Sequence, residues 1–482
     1  MSLGTVIFWL LLLNYLAVPL VVCSVLLRRK EPASLAAWCL LVITVPFFGM
    51  FLYWVLGSER IPRRARRRAK RIKRLSARLL HRIQTEELVA RDDFDIGLAP
   101  PLAEIERLGR RLAHMPGTAG NQVELINDTQ LYFERLAELI RSAQRHLHLT
   151  YYIWNDDDTG REFRQYVIDA AQRGVECRII LDAAGAFSLK RSFLKPLTDA
   201  GVEVRFFLPQ LIHRRRLTVN FRNHRKIAIA DGAVGLIGSQ NIGDEYRGRD
   251  PNLPVWIDTN LRLVGPSVLY LQEVFAEDWF FCAKKDLSGP QYFPPPSTDG
   301  QSIVQILPTG PDQTSGALEH VLFAAVAEAR ETIRIVTPYF VPDRAMRAAL
   351  RHAALRGVRV ELIVSQVTDV IGIIWASRSY YAELLDVGVN IYEWPLGMLH
   401  SKFMTIDDQW MMVGSANIDV RSFRLNFEAT ALVYDQQITQ AAGEWFAARR
   451  EESEQMTLEE VYGWPLRSKL ALGLARLVSP VL

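Results

Sequence analysis

One constellation occurs twice in this 482-residue chain with identical internal spacing, and it constrains the fold more than any other feature. His224-x-Lys226 is followed, after four intervening residues, by Asp231 and, after six more, by Gly238-Ser239-Gln240-Asn241; His400-x-Lys402 is followed at the same intervals by Asp407 and Gly414-Ser415-Ala416-Asn417. A single His-x-Lys usually marks only the polar face of a strand, but two copies sharing a Gly-Ser-x-Asn tail are hard to obtain by chance. The duplication extends upstream. Thr150-Tyr151-Tyr152-Ile153, Arg173-Gly174-Val175 before the apolar strand Cys177 to Leu181, and Ala200-Gly201-Val202-Glu203-Val204 answer to Thr337-Pro338-Tyr339-Phe340, Arg356-Gly357-Val358 before Val360 to Val364, and Val387-Gly388-Val389-Asn390-Ile391. Each copy reads strand, helix-length stretch, strand, the pattern of a parallel or mixed α/β sheet.

The copies are offset by 187 residues at Thr150/Thr337 and Gly201/Gly388 but by 176 at the histidines. The first therefore carries an insertion of about ten residues, placed within Leu211 to Phe221. His213-Arg214-Arg215-Arg216 sits in it, readable as a contact for a phosphate-bearing substrate or membrane surface and equally as a solvated loop.

On a strand of period two, His224 and Lys226 share one face while Arg225, Ile227 and Ile229 take the other, and His400 and Lys402 behave alike. Ser239 with Asn241, and Ser415 with Asn417, are again two apart. Each copy thus offers an imidazole, a fixed cation and two neutral hydrogen-bonding groups. That inventory suits a phosphoryl group, with Lys226 and Lys402 neutralising its oxygens and Ser239, Asn241, Ser415 and Asn417 orienting them. Two imidazoles meeting across one cleft suffice for covalent phosphotransfer without a metal or other cofactor: one attacks phosphorus, and the other gives a proton to the leaving alcohol and later takes one from the acceptor. A carboxylate on the far ring nitrogen would fix the tautomer, and Asp258 and Glu428, at corresponding places in the repeat, are the candidates. Asp231 and Asp407 belong to the catalytic constellation by spacing, yet they fall where the His-Lys strand turns back, which suits a structural role.

Two uncharged apolar runs, Leu3 to Leu27 and Ala33 to Ser58, open the chain, and each exceeds the roughly 20 residues that span a bilayer core. With Arg28, Lys30 and Pro32 at the break between them they read as a transmembrane hairpin, in which Pro19 and Pro46 are tolerable and Trp38, Tyr53 and Trp54 suit the interfaces. A cleaved signal peptide is disfavoured because Met1 to Gly4 carries no basic residue. Ser58 to Arg74 holds ten Lys and Arg against Glu59, a block of +9 in a chain of net +4, so the remainder is −5. By the positive-inside rule everything after Gly57 is expected in the cytoplasm, with the block either lying on anionic headgroups or serving only as a topology determinant. A body gripping nucleic acid would spread its basic charge over a folded face, so a nuclease is disfavoured. The four cysteines form no Cys-x-x-Cys pair, which indicates neither a disulfide framework nor a zinc cluster and fits a reducing compartment.

At Leu466 to Leu482, Leu470, Leu474, Leu477 and Val481 recur at near-helical spacing beside Arg467, Lys469 and Arg476, which suits an interfacial helix or an ordinary packing helix. The domain reading is a hairpin over residues 1–58, a basic segment and connector over 59–120, and two similar domains over 121–295 and 296–482.

These residues resemble the phospholipase D superfamily, whose members carry the duplicated His-Lys-Asp motif with this tail, and more narrowly the bacterial cardiolipin synthases with two amino-terminal helices. The likeness covers the hairpin, Asn121-Gln122-Val123-Glu124-Leu125, Thr337 to Pro342, Gly397 to Lys402, and Gly414 to Glu428. It implies two α/β sandwich domains related by pseudo-twofold symmetry, at the cytoplasmic side of a bacterial inner membrane. It implies a metal-independent exchange in which two phosphatidylglycerol molecules yield cardiolipin and glycerol, with His224 the nucleophile and His400 general acid then base, or the reverse. The same intermediate passed to water or another alcohol would make a phospholipase or a different transphosphatidylase.

Overall fold

The computed structural model describes residues 3–27, 32–53, 89–90, 96–208, 221–249, 256–312, 316–370 and 372–478. The basic block at 60–74, Arg28 to Lys30 and the 211–220 insertion lie outside them. The chain divides into two compact units, residues 1–62 with 210–220, and 63–209 with 221–482.

In the first unit, helix α1 runs Leu3–Leu26, 24 residues without an acidic first turn or a basic last turn and with Pro19 inside. The second apolar run is not the single helix expected. It forms α2, Pro32–Thr44, and α3, Pro46–Leu52, of 13 and 7 residues. Proline disfavours the helical region for the residue before it, and Val45 accordingly leaves the helix at φ −129° and ψ 71°. The bend is tight: a Cβ at Gly49 would lie 2.4 Å from the Leu41 carbonyl oxygen. Val25, Val42 and Tyr53 are buried together, with Trp38 edge-on to Tyr53 at 5.4 Å. Among the residues whose side chains are described, no helix is long and apolar enough to cross a membrane.

The second unit is built on one sixteen-stranded mixed sheet that passes through both copies. In the first copy the order is Gly117–Ile126, Asn260–Val264, Val234–Gly238, Ile227–Ala230, His146–Tyr151, Glu176–Asp182 and Glu203–Phe207. In the second it is Ser302–Thr309, Asn426–Tyr434, Trp410–Gly414, Phe403–Ile406, Thr332–Val336, Arg359–Ser365 and Asn390–Trp394, the same seven-strand path. Gly117–Ile126 and Ser302–Thr309 pair antiparallel and join the halves. The last three strands of each path are parallel, and the others run antiparallel.

The turns repeat with the strands. The helices Asp158–Gln172 and Arg344–Leu355 are each followed by a glycine in the left-handed region, Gly174 at φ 91° and Gly357 at φ 90°. A side chain there would be strained by the backbone alone, which accounts for Arg-Gly-Val in both copies.

The helix Ser267–Ala283 is mostly apolar and is buried on every side from Ser267 to Trp279, its polar Gln272, Glu273, Glu277 and Asp278 included. It packs on Ile227–Ala230 and Asn260–Val264 of the first copy and on Ser302–Thr309 of the second, closing the seam with Val274, Phe275 and Trp279 fully buried. Truncating Trp279 to alanine would cost about 3–5 kcal/mol.

His148 stacks on Phe275 at 4.3 Å and on His146 at 4.7 Å. Burial holds both imidazoles below their ordinary range, His146 at about 4. An unfolded histidine takes its proton near pH 6.5, so this stabilisation is complete above that pH and is lost as pH falls from 6.5 to about 4, by about 3 kcal/mol for His146. Urea unfolding followed between pH 7 and 4 should show that loss, and His146→Phe should flatten it; an unchanged slope in the variant would count against a buried neutral imidazole.

Candidate active site

The two His-x-Lys segments lie at the seam because each is bridged to the opposite copy. Arg222–Asn223 pairs in parallel with Asn426–Phe427, and the His224 amide donates to the Phe427 carbonyl at 2.9 Å. Met398–Leu399 pairs in parallel with Trp256–Ile257, and the His400 amide donates to Ile257 at 2.8 Å. These short ladders bring each histidine beside the strand that carries the other copy's acid.

The acids are exchanged. His224 Nδ1 is 3.1 and 3.0 Å from the two carboxylate oxygens of Glu428 and 3.1 Å from the Ser415 carbonyl. His400 Nδ1 is 2.6 Å from Asp258 Oδ1. An ionised carboxylate only accepts, so the proton sits on Nδ1 in both rings and the Nε2 lone pair is left for chemistry. Both acids are buried, and burial would raise them. The facing histidine and the lysines outweigh that, so each carboxyl is held below its ordinary range.

The tail serines stand behind these acids. Ser239 Oγ donates to Asp258 Oδ1 and Ser415 Oγ to Glu428 Oε2, both at 2.5 Å. Their hydroxyls are thereby engaged with carboxylates, not with an open phosphate position. Asn241 accepts from the Ile153 amide at 3.1 Å and donates to the Tyr246 hydroxyl at 3.0 Å. Asn417 donates its backbone amide to Ser422 Oγ at 3.1 Å, and its buried side-chain oxygen has no hydrogen-bond partner among the described residues.

Lys226 and Lys402 are buried, and each Nζ donates to the carbonyl of its own motif histidine at 2.7 Å. An ammonium carries three donors, so others stay available for an anion. Burial lowers both lysines, Lys402 to about 8. Burial also lowers His224, to about 4, and His400. The charge of Lys402 acts on His224 and that of Lys226 on His400, which places both pairs in one electrostatic site. The site thus brings two neutral imidazoles beside buried lysines whose charge calls for a counter-ion.

Asp231 and Asp407 lie elsewhere. Asp231 accepts from the amides of Gln144, Arg145 and His146, and Asp407 from those of Arg330, Glu331 and Thr332. Both have positive φ, 55° and 52°, and both tie the turn after the motif strand to the start of its neighbour. The structure gives them a turn-bracing position and no contact with either histidine.

Some site residues had no sequence assignment beyond a face. Arg225, buried, donates to Asp278 at 2.7 Å, to the Glu428 carbonyl at 3.0 Å and to the Thr309 carbonyl at 3.2 Å, so it clamps the strand that carries the acid of its neighbour His224. Its counterpart Ser401 bonds the Ile257 carbonyl at 3.2 Å. Tyr152 stands edge-on to His224 at 5.1 Å, and Trp256 tilts over His400 at 5.1 Å. The repeated Tyr152/Tyr339 was the one signal for the first; nothing local marked Trp256.

Residues 136–279 and 322–450 match the family model described as cardiolipin synthase, PLD-like domain, and residues 17–58 match phospholipase D-nuclease N-terminal. The chain is 35% identical over 459 residues to a cardiolipin synthase of Geobacillus sp. (strain WCH70), covering 95% of this chain and 90% of that one. It is 33% identical to a major cardiolipin synthase of Bacillus subtilis (strain 168), covering 94% and 95%. Among solved structures, a phosphatidylserine synthase of Haemophilus influenzae Rd KW20 superposes with a TM-score of 0.62 at 16% identity, covering 79% of this chain and all of that one, a likeness of fold.

Replacing either acid by its amide, Glu428→Gln or Asp258→Asn, keeps the size of the group but lets Nδ1 lose its proton to the ring's other side. Turnover of a phosphodiester should fall by about 10³–10⁴ with unfolding temperature little changed. A loss below tenfold in both variants would show that the exchanged carboxylates are not needed.

Proposed function

The chain belongs to the cardiolipin synthase family of phospholipase D-like proteins, and on that premise we propose that it condenses two phosphatidylglycerol molecules to cardiolipin and glycerol. The observation that carries the chemistry is the pair of imidazoles, each held by a carboxylate from the opposite copy. The choice of lipid rests on full-length relatives that bear the name cardiolipin synthase.

In this reading Lys226 and Lys402 receive the phosphate of the first lipid, and Asn417 helps to orient it. The neutral His224 attacks phosphorus through Nε2, forming a P–N bond as the P–O bond to glycerol breaks. His400, protonated by the time the anion is bound, gives its Nε2 proton to the departing glycerol oxygen. The now neutral His400 takes the proton of the primary hydroxyl of the second phosphatidylglycerol. That oxygen attacks phosphorus, the P–N bond breaks, and cardiolipin leaves with both histidines restored. His224 as nucleophile is supported by its strongly lowered basicity, held near 4 by burial, and by the family resemblance. Asp258 and Glu428 fix the tautomers; Ser239 and Ser415 hold those acids; Asn241 braces Tyr246 beside His400.

The two copies, residues 121–295 and 296–482, act as one catalytic body, a division supported by their identical seven-strand paths. The enzyme associates with the membrane. Its amino-terminal helices anchor it as a multi-pass segment in the bacterial inner membrane with the catalytic body in the cytoplasm, supported by the uncharged runs and the basic block that follows them. The carboxy-terminal helix Leu466–Val478 rests in the lipid interface. Leu466, Leu470, Leu474 and Leu477, spaced along one side, are 61–78% exposed, while Leu472 and Ala475 are buried.

The test is the purified full chain in detergent with phosphatidylglycerol alone and a chelator present, the products identified by mass spectrometry. Cardiolipin with an equal amount of glycerol is expected, and phosphatidic acid as the main product would overturn the choice of acceptor. His224→Ala and His400→Ala should each lower turnover by at least 10³-fold; substantial activity in either would exclude the two-histidine route.

A further inference from the structure

The strands Glu176–Asp182 and Arg359–Ser365 hold the same place in the two copies, and each ends on a side chain that ties down the backbone just ahead of a motif histidine. Asp182 Oδ2 accepts the Asn223 amide at 2.8 Å, and Ser365 Oγ accepts the Leu399 amide at 3.1 Å. The loops that leave these two strands are therefore lips of the catalytic site. Five residues past each anchor stands an exposed apolar side chain, Phe187 on the first lip and Val370 on the second.

The first lip is fixed by its own hydrogen bonds. Asp182 Oδ1 accepts the amides of Ala184 and Gly185 at 2.8 and 3.2 Å, and the Phe187 amide closes a turn on the Ala184 carbonyl at 3.2 Å. Gly185 lies so close on Tyr152 that a Cβ there would be 2.2 Å from the Tyr152 carbonyl oxygen. Tyr152 in turn stands edge-on to His224 at 5.1 Å. Two residues beyond Gly185, the Phe187 side chain is 82% exposed. Lys190 and Arg191 follow it, both exposed, and neither side chain has a hydrogen bond or ion pair among the described residues. The helix they open, Arg191–Asp199, has no acid in its first turn. On the second lip, Val370 is joined by Trp375 of the helix Ile373–Arg378, 36% and 37% exposed. That helix packs on Leu466–Val478 through Ile373, Ala376 and Ala475, so the apolar surface continues to the exposed leucines there.

An exposed aromatic ring is poorly placed in water, and two unanswered cations beside it favour an anionic surface. An acidic protein face would meet the cations alone, whereas an anionic bilayer offers phosphates to the cations and an apolar boundary to the ring, and it runs on unbroken to the second lip. We propose that residues 183–191 are a membrane contact in which Phe187 enters the apolar boundary of an anionic bilayer while Lys190 and Arg191 bind its phosphates. The mouth beside His224 is thereby seated on the surface where the lipids lie, and a headgroup reaches the histidines without its acyl chains leaving the membrane. This rests on the reading that the substrates are membrane lipids and adds how the catalytic body meets them.

The experiment places the full chain in nanodiscs of phosphatidylcholine alone, of phosphatidylcholine with phosphatidylserine, and of phosphatidylcholine with phosphatidylglycerol. Hydrogen–deuterium exchange is followed by mass spectrometry in peptides covering 183–192, with the strand His146–Tyr151 as the control for folding. Exchange at 183–192 should be about tenfold slower in both anionic discs than in the neutral one. Lys190→Glu with Arg191→Glu should abolish that difference, and Phe187→Ser should reduce it, with the control strand unchanged. Equal exchange in all three discs overturns the contact, as does a slowing that the double variant retains. Slowing with phosphatidylglycerol alone would mark a substrate held at the histidines and overturns it too. Exchange requires no turnover, so cardiolipin formation assayed in the phosphatidylglycerol discs reports separately on the functional reading.

Discussion

The exchange of carboxylates across the seam is the interaction on which the site depends. A motif histidine with its own copy's acid would be a complete half-site, and the two halves would have no chemical reason to stay together. Here Glu428 serves His224 and Asp258 serves His400, so neither imidazole has a fixed tautomer unless both copies are docked. The short parallel ladders of Arg222–Asn223 with Asn426–Phe427 and of Met398–Leu399 with Trp256–Ile257 set that docking in register. Joining the copies through one sheet makes the register a property of the fold, and the buried helix Ser267–Ala283 keeps water from the joint.

Symmetry ends at particular side chains. Arg225, with its partner Asp278, is a buried ion pair whose worth lies in what it places. Such a pair contributes little net stability over apolar residues of similar size, but removing one partner costs about 3–5 kcal/mol because a charge is left alone. Its guanidinium also binds the Glu428 and Thr309 carbonyls, so the same atoms that satisfy the ion also hold the strand carrying the acid. Ser401 fills the equivalent place with one hydrogen bond. A duplicated site with unequal braces can give its two histidines unequal work, which a covalent transfer requires.

Much of this was legible from spacing. Repetition located both copies, period-two alternation set Arg225 opposite His224, and the chain reversal at Asp231 and Asp407 marked turns, where each carboxylate now accepts three backbone amides. What spacing could not contain is which neighbour a side chain finds across the seam. Ser239 and Ser415 carry the chemistry of phosphate ligands, yet their hydroxyls meet carboxylates, because Asp258, just past the strand Trp256–Ile257, and Glu428, on the strand Asn426–Tyr434, lie beside them. The apolar run at 33–58 has the composition of one spanning helix, but Pro46 acts on Val45 locally, and a hydropathy window averages that effect away.

Burial gives the site its logic. Two lysines, two histidines and two acids share a desolvated space in which each charge is costly unless answered. The acids are answered by Nδ1 protons and serine hydroxyls, while each lysine donates to the carbonyl oxygen of its own motif histidine and is lowered by its burial. A phosphodiester supplies the missing negative charge, and the same charge raises the basicity of an imidazole facing it. In the proposed reaction, substrate binding would supply the protonated histidine that the leaving alcohol needs, and the proton donor would be armed only when there is a phosphate to cleave.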